Sequence, residues 1–312
     1  MVNRRLSNGM RWMRFWRYLQ NNYQMYLLLL PGVVFIFIFC YVPMYGIQIA
    51  FKDFSFRKGI IGSSWVGMEH FIRFVTSSNF WPLLRNTLGI SVYSLVAGFP
   101  MPILLAFMLN ELRSEKFKKC VQMITYIPHF ISAIAICSMM MLFMDRTNGV
   151  FNHIIAAFGG ERVAFLAEPQ YFKTIYVLSG VWQGTGWGSI IYLAALSSVD
   201  PQMIEASIID GANRFQKILY IDLPTILPTI ITLLILNVGS LVSVGYEKIL
   251  LLQNSLNMET SDIIGTYVYR LGIKDAQYSY TTAIGVFSSV VNVVLLVICN
   301  GFARRVSETS LW

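Results

Sequence analysis

The residues of this sequence whose types and spacing could do chemistry are concentrated between positions 200 and 224. Asp200 can cap a helix that begins with proline, and Gly211 permits a turn after that helix. Two acids, Glu205 and Asp210, lie among apolar residues of the same segment. Such an amphipathic surface can dock into the groove of a partner protein. A loop that rests on a bilayer is the alternative, and composition alone leaves both interpretations open.

Signatures of enzymatic or metal chemistry are absent from the sequence. It contains no Gly-x-x-x-x-Gly-Lys-Ser/Thr phosphate loop, no His-Glu-x-x-His pair and no Gly-x-Ser-x-Gly elbow. The four cysteines show no Cys-x-x-Cys spacing, and the three histidines are scattered. The glycine-rich stretch 184–188 lies inside an apolar run with no preceding strand, which favours helix packing or a pathway kink over phosphate binding. We therefore expect no ATPase site, cofactor or metal in this chain.

The composition indicates an integral membrane protein. Of the 312 residues, 55% are hydrophobic and only 13% are charged, whereas soluble domains average about 25% charged residues. The same figures exclude a disordered chain and a secreted disulfide scaffold. The net charge of +8 is better explained by basic cytoplasmic loops than by nucleic-acid binding.

Six apolar segments are long enough to cross a bilayer, whose core of about 30 Å needs about 20 helical residues. They span residues 25–51, 83–112, 120–144, 174–199, 223–252 and 281–302. Proline and glycine recur within them, which packed membrane helices tolerate. The sequence therefore predicts an all-α transmembrane protein, a polytopic bundle of six helices.

Basic residues cluster in three short segments that would lie on one side of such a bundle. These residues are Arg4, Arg5, Arg11, Arg14, Arg17, Arg113, Lys116, Lys118, Lys119, Arg304 and Arg305. Positive charge marks the cytoplasmic side, so both termini and the 200–224 loop are expected in the cytoplasm. The predicted organisation is an interfacial N-terminal segment (1–24), a six-span domain (25–303) and a cytoplasmic tail (304–312).

The 200–224 loop carries three short motifs in a fixed order. They are Glu205-Ala206-Ser207, Asp210-Gly211-Ala212 and Ile221-Asp222-Leu223-Pro224. This order resembles the EAA loop of ABC importer permeases, which reads Glu-Ala-Ala, Asp-Gly-Ala and Ile-x-Leu-Pro. Ser207 at the second alanine is the only departure, and it replaces one small residue with another.

Further stretches resemble the maltose-type sugar permeases of this family. Residues 65–71 with Phe80-Trp81 and Asn86-Thr87-Leu88 are similar to their first external loop, and 149–152 with Phe165-Leu166 to their second. Residues 41–46, 50–54 and 126–132 resemble the branch that takes up polysaccharides or complex oligosaccharides.

The resemblance implies a permease subunit of a type I ABC importer in a bacterial plasma membrane. Its substrate would be a carbohydrate, specifically an oligosaccharide. Its partners would be a second, non-identical permease, two cytoplasmic P-loop ATPases that bind ATP and Mg, and an external solute-binding protein. The loop would couple to an ATPase through Glu205, Ala206, Ser207, Asp210 and Gly211, with Glu205 as the charged contact. Asp210 has an alternative role, which is to cap the turn.

By the same resemblance, a substrate path is expected where the spans are polar or aromatic. Aromatic faces stack on sugar rings and amides bond to hydroxyls, so both suit a glycan. The candidates are Trp182, Gln183, Trp187, Asn237, Ser240, Tyr246 and Asn292. For each of them an interhelical contact is the alternative. Leu241 and Val244 stand where the family's fifth span contacts sugar, which argues against a direct sugar site in this subunit.

Two other classes of protein remain as alternatives to an importer subunit. A membrane-embedded enzyme acting on glycans would need converging acids, histidines or metal ligands at the membrane face. A secondary transporter would show repeated halves with broken helices and an ion site. The spans contain few ionisable residues and no clear repeat.

Overall fold

The computed structural model describes residues 17–306. Most of this part of the chain is helical, and the chain divides into two compact units after Gly67. Most of the predicted N-terminal segment and the end of the predicted C-terminal tail lie outside the described residues.

The first unit is dominated by one apolar helical segment, Tyr23–Phe51. Its regular part is α1 (Tyr23–Ile36), whose side chains are not buried, as expected for a helix surrounded by lipid. A two-stranded antiparallel sheet follows, with Lys52 opposite Trp65. The helical segment continues from α1 through a π-helical turn (Phe37–Tyr41), one α-helical turn (Val42–Met44) and a 3₁₀ stretch (Tyr45–Phe51). The elements after this segment are β1 (Lys52–Asp53), α2 (Gly59–Gly62) and β2 (Ser64–Trp65).

The second unit is built from helices within its described residues. In chain order they are α3 (Glu69–Val75), α4 (Phe80–Gly98), α5 (Pro100–Asn110), α6 (Glu115–Tyr126), α7 (Ala133–Phe143), α8 (Val150–Ala157), α9 (Pro169–Leu196), α10 (Pro201–Ile209), α11 (Arg214–Lys217), α12 (Leu223–Val238), α13 (Tyr246–Leu252), α14 (Met258–Ser261), α15 (Ile264–Tyr269) and α16 (Tyr278–Val306).

Four segments of the described chain are long and apolar enough to cross a membrane, and a bent helix pair makes a fifth. The four are Tyr23–Phe51, Phe80–Asn110, Arg214–Val238 and Tyr278–Arg305. α9 has 28 residues, about 42 Å at the helical rise, but its composition is too polar to meet the same test. The six-span arrangement therefore stays a prediction.

The predicted span over residues 120–144 is not one straight helix. It consists of α6, a 3₁₀ turn (Ile127–Phe130) and α7, and the two parts are bent by 99°. Pro128 cannot donate a backbone hydrogen bond to continue the helix. The Ser132 hydroxyl then caps α7 by accepting from the Ala135 N–H at 3.2 Å. Pro128 and Ser132 are therefore the signal in the sequence for this break.

The predicted span over residues 223–252 is also interrupted. α12 ends at Val238, an irregular segment (239–245) follows, and α13 begins at Tyr246. Side chains from distant helices satisfy the freed backbone groups. The Ser91 hydroxyl donates to the Leu241 carbonyl, and Asn292 Oδ1 accepts from the Val242 N–H at 3.0 Å. Such irregular backbone is tolerated at membrane depth where protein surrounds it.

Three hydrophobic clusters hold the second unit together. α9 contributes Phe172 and Ile175 to one cluster, with residues of α4, α7 and α13, and Tyr192 and Leu196 to another, with α5 and α12. The third cluster joins α3, α4, α15 and α16 around Phe74. α9 is therefore the central helix against which the elements of the candidate site pack.

Gly186 allows the close approach of α9 to α6, in agreement with the helix-packing interpretation of the glycine-rich stretch. A Cβ at Gly186 would collide with the Thr125 carbonyl, whereas a Cβ at Gly184 meets nothing within 4 Å. Gly186→Ala is expected to destabilise the protein by about 1–3 kcal/mol through overpacking. Gly184→Ala, its control, is expected to be neutral or stabilising by up to about 1 kcal/mol. Thermal unfolding midpoints of the two variants in detergent would test this, and equal midpoints would contradict it.

Candidate functional site

The helix and the turn predicted between residues 200 and 224 are present, and a second short helix follows the turn. Asp200 Oδ1 accepts from the Gln202 N–H at 2.9 Å and caps α10. Gly211 has φ +76°, a left-handed conformation that glycine adopts at low cost and that ends the helix. α11 then begins with a capping box between Asn213 and Gln216. Local capping chemistry therefore determines the shape of this loop.

The outer surface of α10 is exposed and has no cover within the described residues. Glu205, Ala206 and Asp210 are exposed, and Ser207 is half-buried. Ile209 is 86% exposed, which is unusual for so large an apolar side chain. The Asp210 carboxylate makes no hydrogen bond to residues 17–306 that would support its alternative role in capping the turn.

A buried charge cluster anchors this loop to the end of α5. The Lys217 ammonium lies between the carboxylates of Glu111 and Asp222, with 3.8 Å to Asp222 Oδ2. Arg214 Nε reaches Glu111 at 4.0 Å from a more exposed position. Asp222 was noted in the sequence only as part of a motif, and Glu111 was missed. Nothing in the sequence pairs Glu111 with a lysine more than a hundred positions away.

Two adjoining cavities lie between α4, α5, α9 and the interrupted segment 239–245. Their volumes are about 460 and 390 Å³, and they share the lining residues Ser94, Gly98, Pro102 and Tyr176. The larger is also lined by Ser91, Leu95, Phe99, Gly188, Ile191, Tyr192, Leu233, Asn237, Ser240, Leu241, Val244 and Gly245. The smaller is also lined by Val177, Gly180, Val181, Gln183, Gly184, Thr185 and Lys248. We call the two together the cleft.

The structure brings three of the seven predicted path residues to the cleft. Asn237 and Ser240 line the larger cavity and Gln183 lines the smaller. Leu241 and Val244, which argued against a sugar site, line the larger cavity too. Their apolar side chains there can contact the carbon faces of a sugar.

The other four predicted residues lie away from the cleft lining. Trp187 stacks on His129 with ring centres 4.6 Å apart, and Trp182 lines a separate apolar cavity beside α7. Tyr246 stacks on Tyr269 at 5.6 Å. Asn292 bonds to the interrupted segment and so has the interhelical role that was its alternative.

Asn292 is therefore expected to matter for stability. Its Nδ2 donates to Ser243 Oγ at 2.7 Å while its Oδ1 holds the buried Val242 N–H. Asn292→Leu is expected to destabilise the protein by about 1–3 kcal/mol because that N–H loses its acceptor. Among residues 17–306 the Asn237 side chain bonds only to Leu233 of its own helix, so Asn237→Leu is the control and should change stability by less than about 0.5 kcal/mol. A similar fall in the unfolding midpoint for Asn292→Leu and Asn237→Leu would contradict the stabilising role assigned to Asn292.

Three cleft residues were missed as path candidates. Tyr176, Tyr192 and Lys248 come from α9 and α13, and only packing brings them together. Lys248 directly follows Glu247 in the sequence. No ion pair joins it to Glu247 within residues 17–306. The signal for Lys248 in the sequence is that it is an ionisable residue within an apolar run.

A charged pair supports the segment that follows α13. Arg270 donates to both oxygens of Asp262, at 2.7 and 3.2 Å, and its guanidinium lies 5.7 Å from the Tyr267 ring centre. These hydrogen bonds raise the pKa of Arg270 above its ordinary value. The pair therefore connects the end of α15 to the end of α14. Among the described residues, no three acids, histidines or cysteines are grouped to hold a metal.

Comparison with known proteins agrees with this architecture. Residues 98–308 match the family described as "binding-protein-dependent transport system inner membrane component". The polygalacturonan/rhamnogalacturonan transport system permease protein YteP of Bacillus subtilis (strain 168) is 44% identical over 92% of this chain and 90% of that protein. Protein LplB of the same organism is 42% identical over 98% of this chain and 95% of that protein.

Two solved structures show the same fold. A bacterial ABC transporter involved in the import of the acidic polysaccharide alginate aligns with a TM-score of 0.86 and 41% identity. It covers 94% of this chain and 99% of that chain. The alginate transporter in complex with a pentasaccharide-bound periplasmic protein gives a TM-score of 0.86 at 40% identity, over 96% and 100% of the two chains. This chain thus belongs to the binding-protein-dependent inner-membrane transport components: it is an ABC importer permease subunit, and not an enzyme.

Proposed function

We propose that this permease subunit passes an oligosaccharide across the inner membrane of a bacterium as one of two non-identical membrane subunits. Two cytoplasmic P-loop ATPases drive the cycle, and an external solute-binding protein delivers the sugar. YteP is named as a polygalacturonan/rhamnogalacturonan transport permease, and the solved relative is involved in the import of the polysaccharide alginate. The cleft combines tyrosine rings with amides and hydroxyls. Such a lining suits a chain of sugar rings.

The single observation that carries the proposal is the exposed helix α10. It presents Glu205 beside Ala206 and the large apolar Ile209, and residues 17–306 do not cover it. Exposed apolar patches rimmed by charge mark protein interfaces. The buried charge cluster ties α11, the helix that follows α10, to the end of α5 and the start of α12. A force applied to α10 would pass through α11 to these helices, which line the cleft. We assign the coupling contact to Glu205, Ala206, Ser207, Asp210 and Gly211.

The proposed topology has six spans with both termini in the cytoplasm. These spans would be α1 with its continuation, α4–α5, the bent pair α6–α7, α9, α12–α13 and α16. Four basic residues follow α5, and Arg304 and Arg305 end α16, so positive charge lies on the side of α10. The smaller cavity, lined on α9 by residues between Tyr176 and Thr185, would then lie in the external half of the membrane. The larger cavity, lined by Gly188, Ile191 and Tyr192, would extend toward the cytoplasmic half.

Purification of the tagged chain from its native cells in mild detergent would test the proposed function. Mass spectrometry is expected to identify a P-loop ATPase, a second permease and a solute-binding protein among the co-purified proteins. Recovery of the chain alone, or with glycan-assembly enzymes and no ATPase, would contradict the proposal. A tagged unrelated membrane protein from the same cells provides the background.

A further inference from the structure

The ammonium group of Lys248 is the one charged atom of the cleft that has no ionic partner within the described chain. Its Nζ is buried and makes no hydrogen bond to residues 17–306. It lines the smaller cavity, from the first turn of α13 directly after the interrupted segment. The neighbouring Glu247 is exposed and forms no ion pair with it in this part of the chain.

The surroundings of Lys248 stabilise a positive charge only in part. The Tyr176 ring centre lies 5.4 Å from Nζ, at the distance of a cation–π contact. Cys137 donates its thiol hydrogen to the Lys248 backbone carbonyl at 3.8 Å. This contact positions the backbone of Lys248 but does not neutralise its ammonium group. A buried ammonium is costly without a hydrogen-bonded counter-charge. An anionic ligand in the cavity would supply that charge.

The rest of the cavity has the size and chemistry of a sugar site. A volume of about 390 Å³ has room for a sugar ring, and the Tyr176 face also lines the larger cavity. Gln183 donates to the Ile131 carbonyl at 3.2 Å, which leaves its own carbonyl oxygen able to accept from a hydroxyl. At Gly180 and Gly184 a Cβ would have no neighbouring atom within 4 Å, so this wall of the cavity is open.

Two more cations lie further toward the start of α9. Arg85 and Lys173 line a third cavity of about 640 Å³, with one carboxylate, Glu259, on the same lining. Neither cation forms an ion pair within the described chain. Lys173 precedes Tyr176 by one helical turn, a rise of about 4.5 Å. By the proposed topology these cations come first on the path of a substrate from outside.

We infer that Lys248 and Tyr176 form a subsite for the carboxylate of a uronic acid ring, so that the imported oligosaccharide is acidic. The inference rests on the proposed function, because it assigns the substrate class of the same cleft. The Lys248 ammonium binds the carboxylate, the Tyr176 face packs on the ring, and Gln183 accepts from a hydroxyl. Arg85 and Lys173 attract the anionic chain before it reaches this subsite.

The test is ATP-dependent uptake by the complete complex, with its binding protein, in proteoliposomes. The probes are trimers of galacturonate and of mannuronate, with maltotriose as the neutral sugar. For whichever uronate trimer the wild-type complex takes up, Lys248→Met is expected to lower uptake at least tenfold. Lys248→Arg should keep uptake within about threefold of wild type because the charge is retained. Lys274→Met, at an exposed lysine outside the cavities, should leave uptake unchanged. All variants should retain the partner permease and the wild-type unfolding midpoint.

Several results would overturn the inference. One is equal uptake by Lys248→Met and wild type. Loss of the partner permease from the Lys248→Met complex is another, because Lys248 would then pair with an acid of that subunit. Uptake of maltotriose but of neither uronate trimer by the wild-type complex would leave the proposed function standing and refute the acidic subsite. A complex that takes up no sugar with ATP would contradict both.

Discussion

Replacing Glu205 with arginine is expected to abolish ATP-driven uptake while the chain still inserts into the membrane. Glu205 is exposed on α10 and makes no ion pair with residues 17–306, so its loss costs the isolated chain little. At the ATPase contact the same carboxylate would be desolvated beside a cation. Removing one partner of such a pair costs about 2–5 kcal/mol. Since about 1.4 kcal/mol is tenfold in affinity, coupling should fall by about thirty-fold or more.

Uptake in proteoliposomes and recovery of the ATPase with the tagged chain measure this effect. Glu161→Arg is the matched control, because Glu161 is also an exposed glutamate but lies on the external side in the proposed topology. That variant should transport as well as wild type. Undiminished uptake by Glu205→Arg would refute the assignment of α10 as the coupling helix, whatever the uptake by Glu161→Arg.

Lys217→Met is expected to destabilise the protein more than any other single change considered above. The Glu111 and Asp222 side chains are 17% and 1% exposed, and Lys217 is the cation between them. Breaking a buried ion pair by removing one partner costs about 3–5 kcal/mol, because an uncompensated charge stays buried. The unfolding midpoint of the purified protein and the yield of inserted chain should both fall.

Arg214→Met is the control for this prediction. Arg214 contacts the same Glu111 but is 61% exposed, and an exposed pair is worth at most about 1 kcal/mol. The triple variant Lys217→Met, Glu111→Gln, Asp222→Asn should regain most of the stability that Lys217→Met loses, because it leaves no buried charge. Equal losses of stability for Lys217→Met and Arg214→Met would show that the burial of a cation does not determine how much it stabilises this cluster.

Local features of the fold could be predicted from the sequence. Asp200, Gly211 and the acids between them predicted the helix and turn of the 200–224 loop, because caps and left-handed turns depend on residues a few positions apart. The apolar runs predicted α1, α4–α5 and α16 for the same reason, since hydrophobic length is a property of consecutive residues.

The interruptions within spans were harder to predict. Pro128 and Ser132 marked the bend between α6 and α7, but many membrane helices tolerate proline without such a bend. The segment 239–245 leaves its helix because Ser91 and Asn292, from distant parts of the chain, satisfy its backbone groups. No pattern within residues 223–252 contains that information.

The sequence by itself determined a membrane protein through its composition, and the resemblance of its 200–224 loop to the EAA loop predicted an importer permease, because composition and short motifs depend on neighbouring residues. Only the tertiary structure decided which side chains share the cleft. It brought Asn237, Ser240 and Gln183 together with Tyr176 and Lys248, and it left Trp182 and Trp187 outside. The physical reason is that a cavity is formed by the packing of helices far apart in sequence, so its lining depends on their relative rotation and breaks.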